Sequence, residues 1–268
     1  MASDKLREVS HSNGKNPPDG GSRTLTIAHL SDLHLLGNEQ GRMMGVAPYR
    51  QFARVLADVA RFAPDLVLIT GDVTNDGDAQ SYRSVRAALS GIACPLRLIP
   101  GNHDDPATLA AEFGSQPIVM RAGGWRLVLL NTHVAGRDGG RLRSEELQAA
   151  AAVLADDAHA PVLVALHHPP VSLSSPWLDA MGFEGAEWLA NWIAARPAVR
   201  LVLAGHVHQA AYRRFAGARL YTAPSTYAQF VPRTERPRIE DHRPAWRLLR
   251  LDGDGGVHTR VRRLRGTA

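Results

Sequence analysis

The chain has 268 residues, a formal net charge of +5 at pH 7 and a sequence pI near 9.9. This length is enough for one large domain with a sizeable core, which is the organisation we expect. No run of about 18 apolar residues is present, which argues against a membrane protein. Cys94 is the single cysteine, so no intrachain disulfide can form and a reducing cytoplasm is the expected compartment.

The positive charge raises the question of nucleic-acid binding, because arginine clusters such as Arg213-Arg214 attract phosphate backbones. After Lys15, every lysine or arginine position in the chain is arginine, which indicates a compositional bias. The clusters also lack the interleaved aromatic residues of a base-stacking surface. We therefore expect no nucleic-acid partner.

Short β-type runs alternate with helical stretches along the chain, a pattern typical of a mixed α/β layer architecture. Residues 1–23 are polar and lack the apolar segment of a signal peptide, which predicts a disordered tail before a domain over 24–268. The predicted elements are, in chain order, strand 24–35, helix 49–62, strand 65–73, helix 81–92, strand 95–104, strand 125–133, a helix from Ser144, strand 161–170, helix 186–197, strand 199–208, strand 218–226, and a hairpin of 245–253 with 256–264.

Five of these strands run into loops that carry metal-type ligands. Ligands bind outside the carboxyl ends of strands in open α/β sheets, and two of the loops space their ligands two residues apart, which places both on one face of an extended chain. A lone histidine or Gly-Asp at a strand end is usually an ordinary turn residue, but five such loops favour a site. The ligand candidates are Asp32, His34, Asp72, Asn102, His103, His167, His168, His206 and His208.

The donor types indicate which metals the site would take. Carboxylate, amide and imidazole ligands without thiolates suit Mn, Fe, Zn or Co and argue against a structural zinc site. The set is larger than one tetrahedral ion can use. Two ions that share a bridging carboxylate would accommodate it.

These residues resemble the calcineurin-like binuclear metallophosphoesterases, across nearly the whole chain after the tail. The matching blocks are Asp32-Leu-His34, Gly71-Asp72, Gly101-Asn102-His103-Asp104, His167 in LHHPP, and Gly205-His206-Val207-His208, in the family's order. The resemblance implies a four-layer α/β/β/α sandwich of two mixed sheets. It also implies one ion on Asp32, His34, Asp72 and His208, and a second on Asp72, Asn102, His167 and His206.

The resemblance further implies roles for the remaining loop residues. A hydroxide bridging the ions attacks phosphorus, and His103 contacts the phosphate and protonates the leaving oxygen. The local sequence suggests the other roles: Asp104 either orients or charges His103 or acts as a turn or capping residue, and Asp105 is an N-cap before Pro106. His168 adjoins His167, and adjacent strand residues face opposite ways, so we expect it to support a ligand or to line the pocket wall. The residues expected to meet the substrate are His34, Asp72, Asn102, His103 and His208.

Four further segments resemble the bacterial class III cyclic nucleotide phosphodiesterases within this family. They are residues 45–52, 175–182, 224–232 and 244–255, with Tyr227 standing where we expect a small residue or cysteine. The implied reaction is hydrolysis of 3′,5′-cyclic AMP to 5′-AMP with two Fe or Mn ions, or with Zn or Co. A glycerophosphodiester or broad-specificity activity is the alternative, and a metal-free interaction scaffold is a second one. We expect a small phosphodiester substrate and no membrane partner, and a homodimer is left open.

Overall fold

The computed structural model describes residues 24–116, 118–155 and 159–265, so the predicted tail over 1–23 lies outside the described residues. The helices and strands are β1 (Leu25–Leu30), α1 (Pro48–Ala60), β2 (Leu66–Thr70), α2 (Ala79–Leu89), β3 (Leu96–Ile99), α3 (Pro106–Phe113), β4 (Val119–Ala122), β5 (Trp125–Leu129), β6 (Gly140–Arg141), α4 (Ser144–Leu154), β7 (Val162–Ala165), α5 (Pro176–Asp179), β8 (Phe183–Glu184), α6 (Ala186–Ala194), β9 (Val199–Ala204), β10 (Tyr212–Phe215), β11 (Ala218–Thr222), β12 (Gln229–Phe230), β13 (Ile239–Asp241), β14 (Ala245–Leu251) and β15 (Val257–Arg263).

Two large sheets carry the fold, and both are mixed. The first has the order β15-β14-β1-β2-β3, with β1, β2 and β3 parallel and the predicted β14–β15 hairpin antiparallel. The second has the order β10-β11-β9-β7-β5-β4, with four parallel central strands and antiparallel pairs at both edges. The central strands are continuously apolar because they are covered on both faces.

The layers stack as helices, sheet, sheet, helices. Apolar residues of both sheets, such as Leu68 and Leu203, meet in a core between them. Helices α1, α2 and α3 cover the outer face of the first sheet, while α4 and α6 cover that of the second. The four-layer α/β/β/α architecture implied by the family resemblance is therefore confirmed. Among the described residues, no helix combines the length and apolarity that crossing a bilayer requires.

The strands end earlier than the apolar pattern predicts, because the polar residues that follow leave the extended conformation. β1 stops at Leu30, β2 at Thr70 and β9 at Ala204, each just before the candidate ligands. The N-cap predicted for α3 is present, since Asp105 Oδ1 accepts a hydrogen bond from the Thr108 amide at 2.7 Å. The loops that carry polar residues are thus fixed at the ends of buried strands.

The core between the sheets yields a prediction for Leu68, which has no exposed surface. We expect Leu68→Ala to lower the free energy of unfolding by about 3 kcal/mol, because it leaves a cavity between the two sheets. Val153→Ala on α4 is the control, since that side chain is 47% exposed and its loss should cost under about 0.5 kcal/mol. Urea unfolding measures both, and equal effects would contradict this packing.

Candidate metal centre

The structure brings all seven predicted ligands to one edge shared by the two sheets. β1, β2 and β3 of the first sheet and β7 and β9 of the second each lead into one of the ligand loops. Parallel strands place their carboxyl ends at one edge, so residues far apart in the chain converge. The seven side chains are Asp32, His34, Asp72, Asn102, His167, His206 and His208, whose donor atoms lie within hydrogen-bonding or ion-pairing reach of one another.

The two i, i+2 pairs do converge, but the predicted extended backbone is wrong. Asp32 and His34 have φ of 54° and 48°, and His206 and His208 have φ of 71° and 49°. Asp72 also lies in the left-handed region, with φ of 49°. Such conformations cost about 1 kcal/mol or more at residues other than glycine and cluster at functional sites. Five of the ten non-glycine residues with positive φ in the described chain are predicted ligands.

Two glycines allow the ligand loops to approach closely. A Cβ atom built on Gly101 would overlap the Asp72 carboxylate, and one built on Gly71 would overlap the His167 ring. Gly71 also has a positive φ of 89°. Any larger residue at either position would push a ligand out of place.

Asp32, His34, Asp72 and His208 form the first group of donors. His34 Nε2 lies 3.1 Å from His208 Nε2 and 3.6 Å from Asp72 Oδ2, and His208 Nε2 lies 3.7 Å from Asp32 Oδ1. Donors that each bind one ion at about 2.1 Å lie about 3 to 3.5 Å apart. The spacing therefore fits a single metal ion between these residues.

Asp72, Asn102, His167 and His206 form the second group. Asn102 Oδ1 lies 3.1 Å from His167 Nε2 and 3.0 Å from His206 Nδ1. His167 Nε2 is also 3.5 Å from Asp72 Oδ2, the same oxygen that faces His34. Asp72 is thus placed between the two groups, where a bridging carboxylate would stand.

The far side of each imidazole ring fixes which nitrogen faces the site. His208 Nδ1 lies 2.9 Å from the Ala228 carbonyl, and His167 Nδ1 lies 2.7 Å from the Thr70 carbonyl. His34 Nδ1 lies 3.3 Å from Asn75 Oδ1. A carbonyl oxygen only accepts, so each Nδ1 carries a hydrogen and each Nε2 is the nitrogen that faces the site.

Burial keeps most of these imidazoles neutral. It lowers the pKa of His34 to about 4 and that of His206 to about 3, and it also lowers the pKa of His208. Burial opposes charge on His167 too, but the attraction of Asp72 outweighs it and raises the pKa of His167 to about 9. At pH 7 the bare Nε2 atoms of His34 and His208 therefore face each other without a hydrogen between them.

Asp32 gives a second sign that a cation belongs here. Its Oδ1 accepts from the His206 amide at 2.9 Å, whereas the buried Oδ2 has no hydrogen-bond partner among the described residues. Burial raises the pKa of Asp32 to about 7. A metal ion beside Asp32 would stabilise its buried carboxylate and the facing nitrogens together.

His103 lies beside the donors with its ring exposed to solvent. Its amide donates to Asp72 Oδ1 at 3.0 Å, and its Nδ1 donates to the Asn75 carbonyl at 3.0 Å. Its ring centroid is 4.8 Å from that of His34. Nε2 of His103 is therefore the nitrogen available to a substrate. The sequence did not predict a role for Asn75, which contacts the rings of His34 and His103. Its position three residues after Asp72 matches no ligand pattern.

Among the described residues, Asp104 makes no hydrogen bond to His103, so no contact supports the predicted orienting role. Its contacts agree with the alternative, a structural role in the loop. Its side chain is buried and reaches the loop that follows β2. The carboxylate accepts hydrogen bonds from the amides of Gly101 at 2.9 Å, Val73 at 3.1 Å and Thr74 at 3.1 Å, and from the Tyr82 hydroxyl at 2.9 Å. Asp104 thus ties the Asn102 loop to the Asp72 loop.

His168 has both ring nitrogens engaged by the protein. Nδ1 lies 2.8 Å from Thr132 Oγ1, and Nε2 donates to the Asp138 carbonyl at 3.1 Å. Its ring is 4.8 Å from that of His206, so distance alone would admit it as a ligand. Because neither nitrogen is free, we propose no ligand role for His168, whose side chain lines the cavity beside His206.

Aromatic residues of α5 and of the segment that follows β11 pack behind two of the predicted ligands. Phe230 stacks on His208 with a centroid distance of 4.4 Å, and Trp177 meets the Phe230 ring edge-on at 5.1 Å. Tyr227 donates its hydroxyl to the Met43 carbonyl at 2.6 Å and lies 5.8 Å from the His34 ring. The tyrosine at this unexpected position therefore joins two loops above His34.

Comparison with known proteins identifies the family of this chain. The family model described as calcineurin-like phosphoesterase matches residues 25–210. The chain belongs to this family and is a hydrolase, and its described residues include groups of histidine and aspartate side chains that could hold metal ions.

Individual relatives add detail. The chain is 34% identical over 247 residues to a 3′,5′-cyclic adenosine monophosphate phosphodiesterase of Pseudomonas aeruginosa, covering 90% of each chain. It is 31% identical over 257 residues to the Escherichia coli K12 protein of the same name, covering 93% of this chain and 94% of the relative. A dimetal phosphatase from Danio rerio shares the fold, with a TM-score of 0.63, 18% identity and coverage of 88% of this chain and 98% of that one.

The donor geometry predicts metal contents that elemental analysis of manganese-loaded protein can check. We expect two ions per chain in the wild type, one in His206→Ala and fewer than about half an ion in Asp72→Ala, because Asp72 faces both donor groups. Asp76→Ala removes a nearby exposed carboxylate and should keep both ions. Two ions retained by Asp72→Ala would contradict the shared-ligand geometry.

The contacts of Asp104 yield a separate prediction. We expect Asp104→Ala to lower the free energy of unfolding by about 3 kcal/mol, since four donors lose their acceptor, against about 1 kcal/mol for the exposed N-cap variant Asp105→Ala. Chemical denaturation measures both. A variant of Asp104 that unfolds like the wild type but reacts as slowly as His103→Ala would instead restore its predicted partnership with His103.

Proposed function

We propose that the chain hydrolyses 3′,5′-cyclic AMP to 5′-AMP at this centre. The observation that carries the proposal is the complete donor set, with His34 Nε2 and His208 Nε2 only 3.1 Å apart, in a chain similar over 90% of its length to a protein named a 3′,5′-cyclic adenosine monophosphate phosphodiesterase. Facing lone pairs and left-handed loops cost free energy, and a scaffold that binds no metal would not recover that cost.

The proposed ligands are Asp32, His34, Asp72 and His208 for one ion, and Asp72, Asn102, His167 and His206 for the other. A bound pair of divalent ions supplies Lewis acidity and lowers the pKa of water at the site. Iron and manganese suit this mixture of oxygen and nitrogen donors best, with zinc or cobalt as substitutes. The neutral Asn102 adds no negative charge, which leaves the centre attractive to a phosphate anion.

His103 is the proposed general acid. In the reaction the oxygen of water forms a bond to phosphorus and one proton of that water leaves to solvent, the bond from phosphorus to O3′ breaks, and O3′ takes a proton from His103. Because Nδ1 of His103 donates to the Asn75 carbonyl, a proton on Nε2 is the one that can reach O3′. Such proton transfer is typically worth about 100 to 10,000-fold in rate.

An apolar cavity adjoins the proposed centre. It has a volume of about 180 Å³, opens beside His206 and is lined in part by Leu173, Leu178 and Phe183, which is enough for part of a nucleoside. An apolar wall next to a cationic centre suits a base and ribose joined to a phosphodiester. The free Cys94 supports a reducing compartment, and we place the activity in the cytoplasm.

The role of His103 predicts a split between rate and metal binding. We expect His103→Ala to lower kcat by 100-fold or more while the chain retains two metal ions, because His103 is not among the proposed ligands. Steady-state kinetics and elemental analysis of the same preparation test this. His258→Ala is the matched control, since His258 is an exposed histidine on β15 that contacts Asp252 away from the donor groups, and it should keep the wild-type kcat. Loss of metal from His103→Ala would show that His103 is a ligand.

A substrate panel tests the specificity. With manganese- and iron-loaded enzyme, we expect the largest kcat/KM for 3′,5′-cyclic AMP, compared with 2′,3′-cyclic AMP, a glycerophosphodiester and single-stranded DNA. Asp72→Asn provides the background rate. A preference for the glycerophosphodiester would favour the alternative activity, and an absence of metal-dependent hydrolysis would leave only the scaffold.

A further inference from the structure

A second cavity lies at the opposite end of the second sheet from the metal centre. It has a volume of about 590 Å³ and is bounded by the loop after α6, the β10–β11 hairpin and the turn between β14 and β15. The cavity is at the start of β9, whereas the metal ligands follow its end. β9 is six residues long, which separates the two sites by about 20 Å.

Four arginines line this cavity: Arg196, Arg200, Arg214 and Arg219. Asp254 is the one acidic residue among its lining residues, and its Oδ1 accepts from the Gly256 amide within its own turn. Elsewhere in the described chain, arginines pair with carboxylates, as Arg262 does with Asp58. The cavity therefore holds an excess of positive charge.

The contacts that these arginines make within the described residues leave most of their donors free. Arg196 donates to the Trp192 carbonyl at 3.0 Å, Arg214 to the Gly217 carbonyl at 3.2 Å and Arg219 to the Val257 carbonyl at 3.4 Å. Each bond uses one of the five N–H groups of a guanidinium. No carboxylate in the described part of the chain forms an ion pair with any of the four.

The strand register sets two of these charges directly against each other. Arg214 on β10 and Arg219 on β11 are cross-strand partners in an antiparallel pair. Like charges in such a position destabilise a sheet. An anion between them would remove the repulsion, and guanidinium groups bind phosphate oxygens through two parallel hydrogen bonds.

We propose that this cavity, defined by Arg196, Arg200, Arg214 and Arg219, is a second binding site that takes a linear polyphosphate chain. Its volume is that of a site for a small molecule, and its lining lacks the aromatic residues on which nucleic-acid bases stack. Several adjacent phosphates match four guanidinium groups better than a single carboxylate does. The site is separate from the metal centre and from the hydrolytic reaction proposed there.

Calorimetric titration of the manganese-loaded full chain tests this proposal, with magnesium present in excess of the phosphate. The probes are inorganic tripolyphosphate and ATP, which share the polyphosphate chain and differ in the nucleoside. We expect Arg214→Ser/Arg219→Ser to weaken binding of tripolyphosphate at the second site by at least 10-fold. Arg61→Ser/Arg83→Ser removes the same charge from the exposed surface near α1 and α2 and should bind like the wild type.

Both double variants retain the metal centre, so phosphate that binds there contributes equally to both titrations. Both variants should also hydrolyse an artificial diester at the wild-type rate. Equal binding by the two variants would overturn the proposal, because the charge of the whole chain would then explain the affinity. Tighter binding of single-stranded DNA than of either probe, lost only in the cavity variant, would also overturn it in favour of a nucleic-acid surface.

Discussion

The structure depends on one electrostatic constraint, the close approach of two neutral imidazole nitrogens that carry no hydrogen on the sides that face each other. The Nε2 atoms of His34 and His208 are 3.1 Å apart, and each ring has its hydrogen committed on the other side. Asp72 Oδ2 lies within 3.6 Å of one histidine from each donor group. Lone pairs held this close repel each other unless a cation lies between them, and a metal ion between these donors would remove that repulsion.

The rest of the fold holds these donors against their mutual repulsion. Buried parallel strands fix where each loop begins, and Gly101 allows one loop to approach the Asp72 carboxylate closely. Asp104 joins the two loops through backbone amides. Left-handed conformations at five ligands store strain that the four packed layers must offset. The packing of the core therefore offsets the strain and repulsion in the loops that carry the donors.

Much of this could be predicted from the sequence, since both the strands and the ligands leave a clear pattern. Apolar runs identified the central strands, and their polar ends identified the seven donors. The backbone conformation was not predictable, because Asp32-Leu-His34 reads as extended while the structure bends it into the left-handed region. Asp104 and Asn75 were also beyond the sequence, because their roles depend on contacts between separate loops. The pairing of Arg214 with Arg219 likewise depends on strand register.

The most direct test of the account is anomalous diffraction from crystals of the manganese-loaded chain, measured at the manganese absorption edge. The account predicts two peaks about 3.5 to 4 Å apart, with the Asp72 carboxylate between them, one beside His34 and His208 and the other beside Asn102 and His167. A single peak, or two peaks that do not share Asp72, would contradict it.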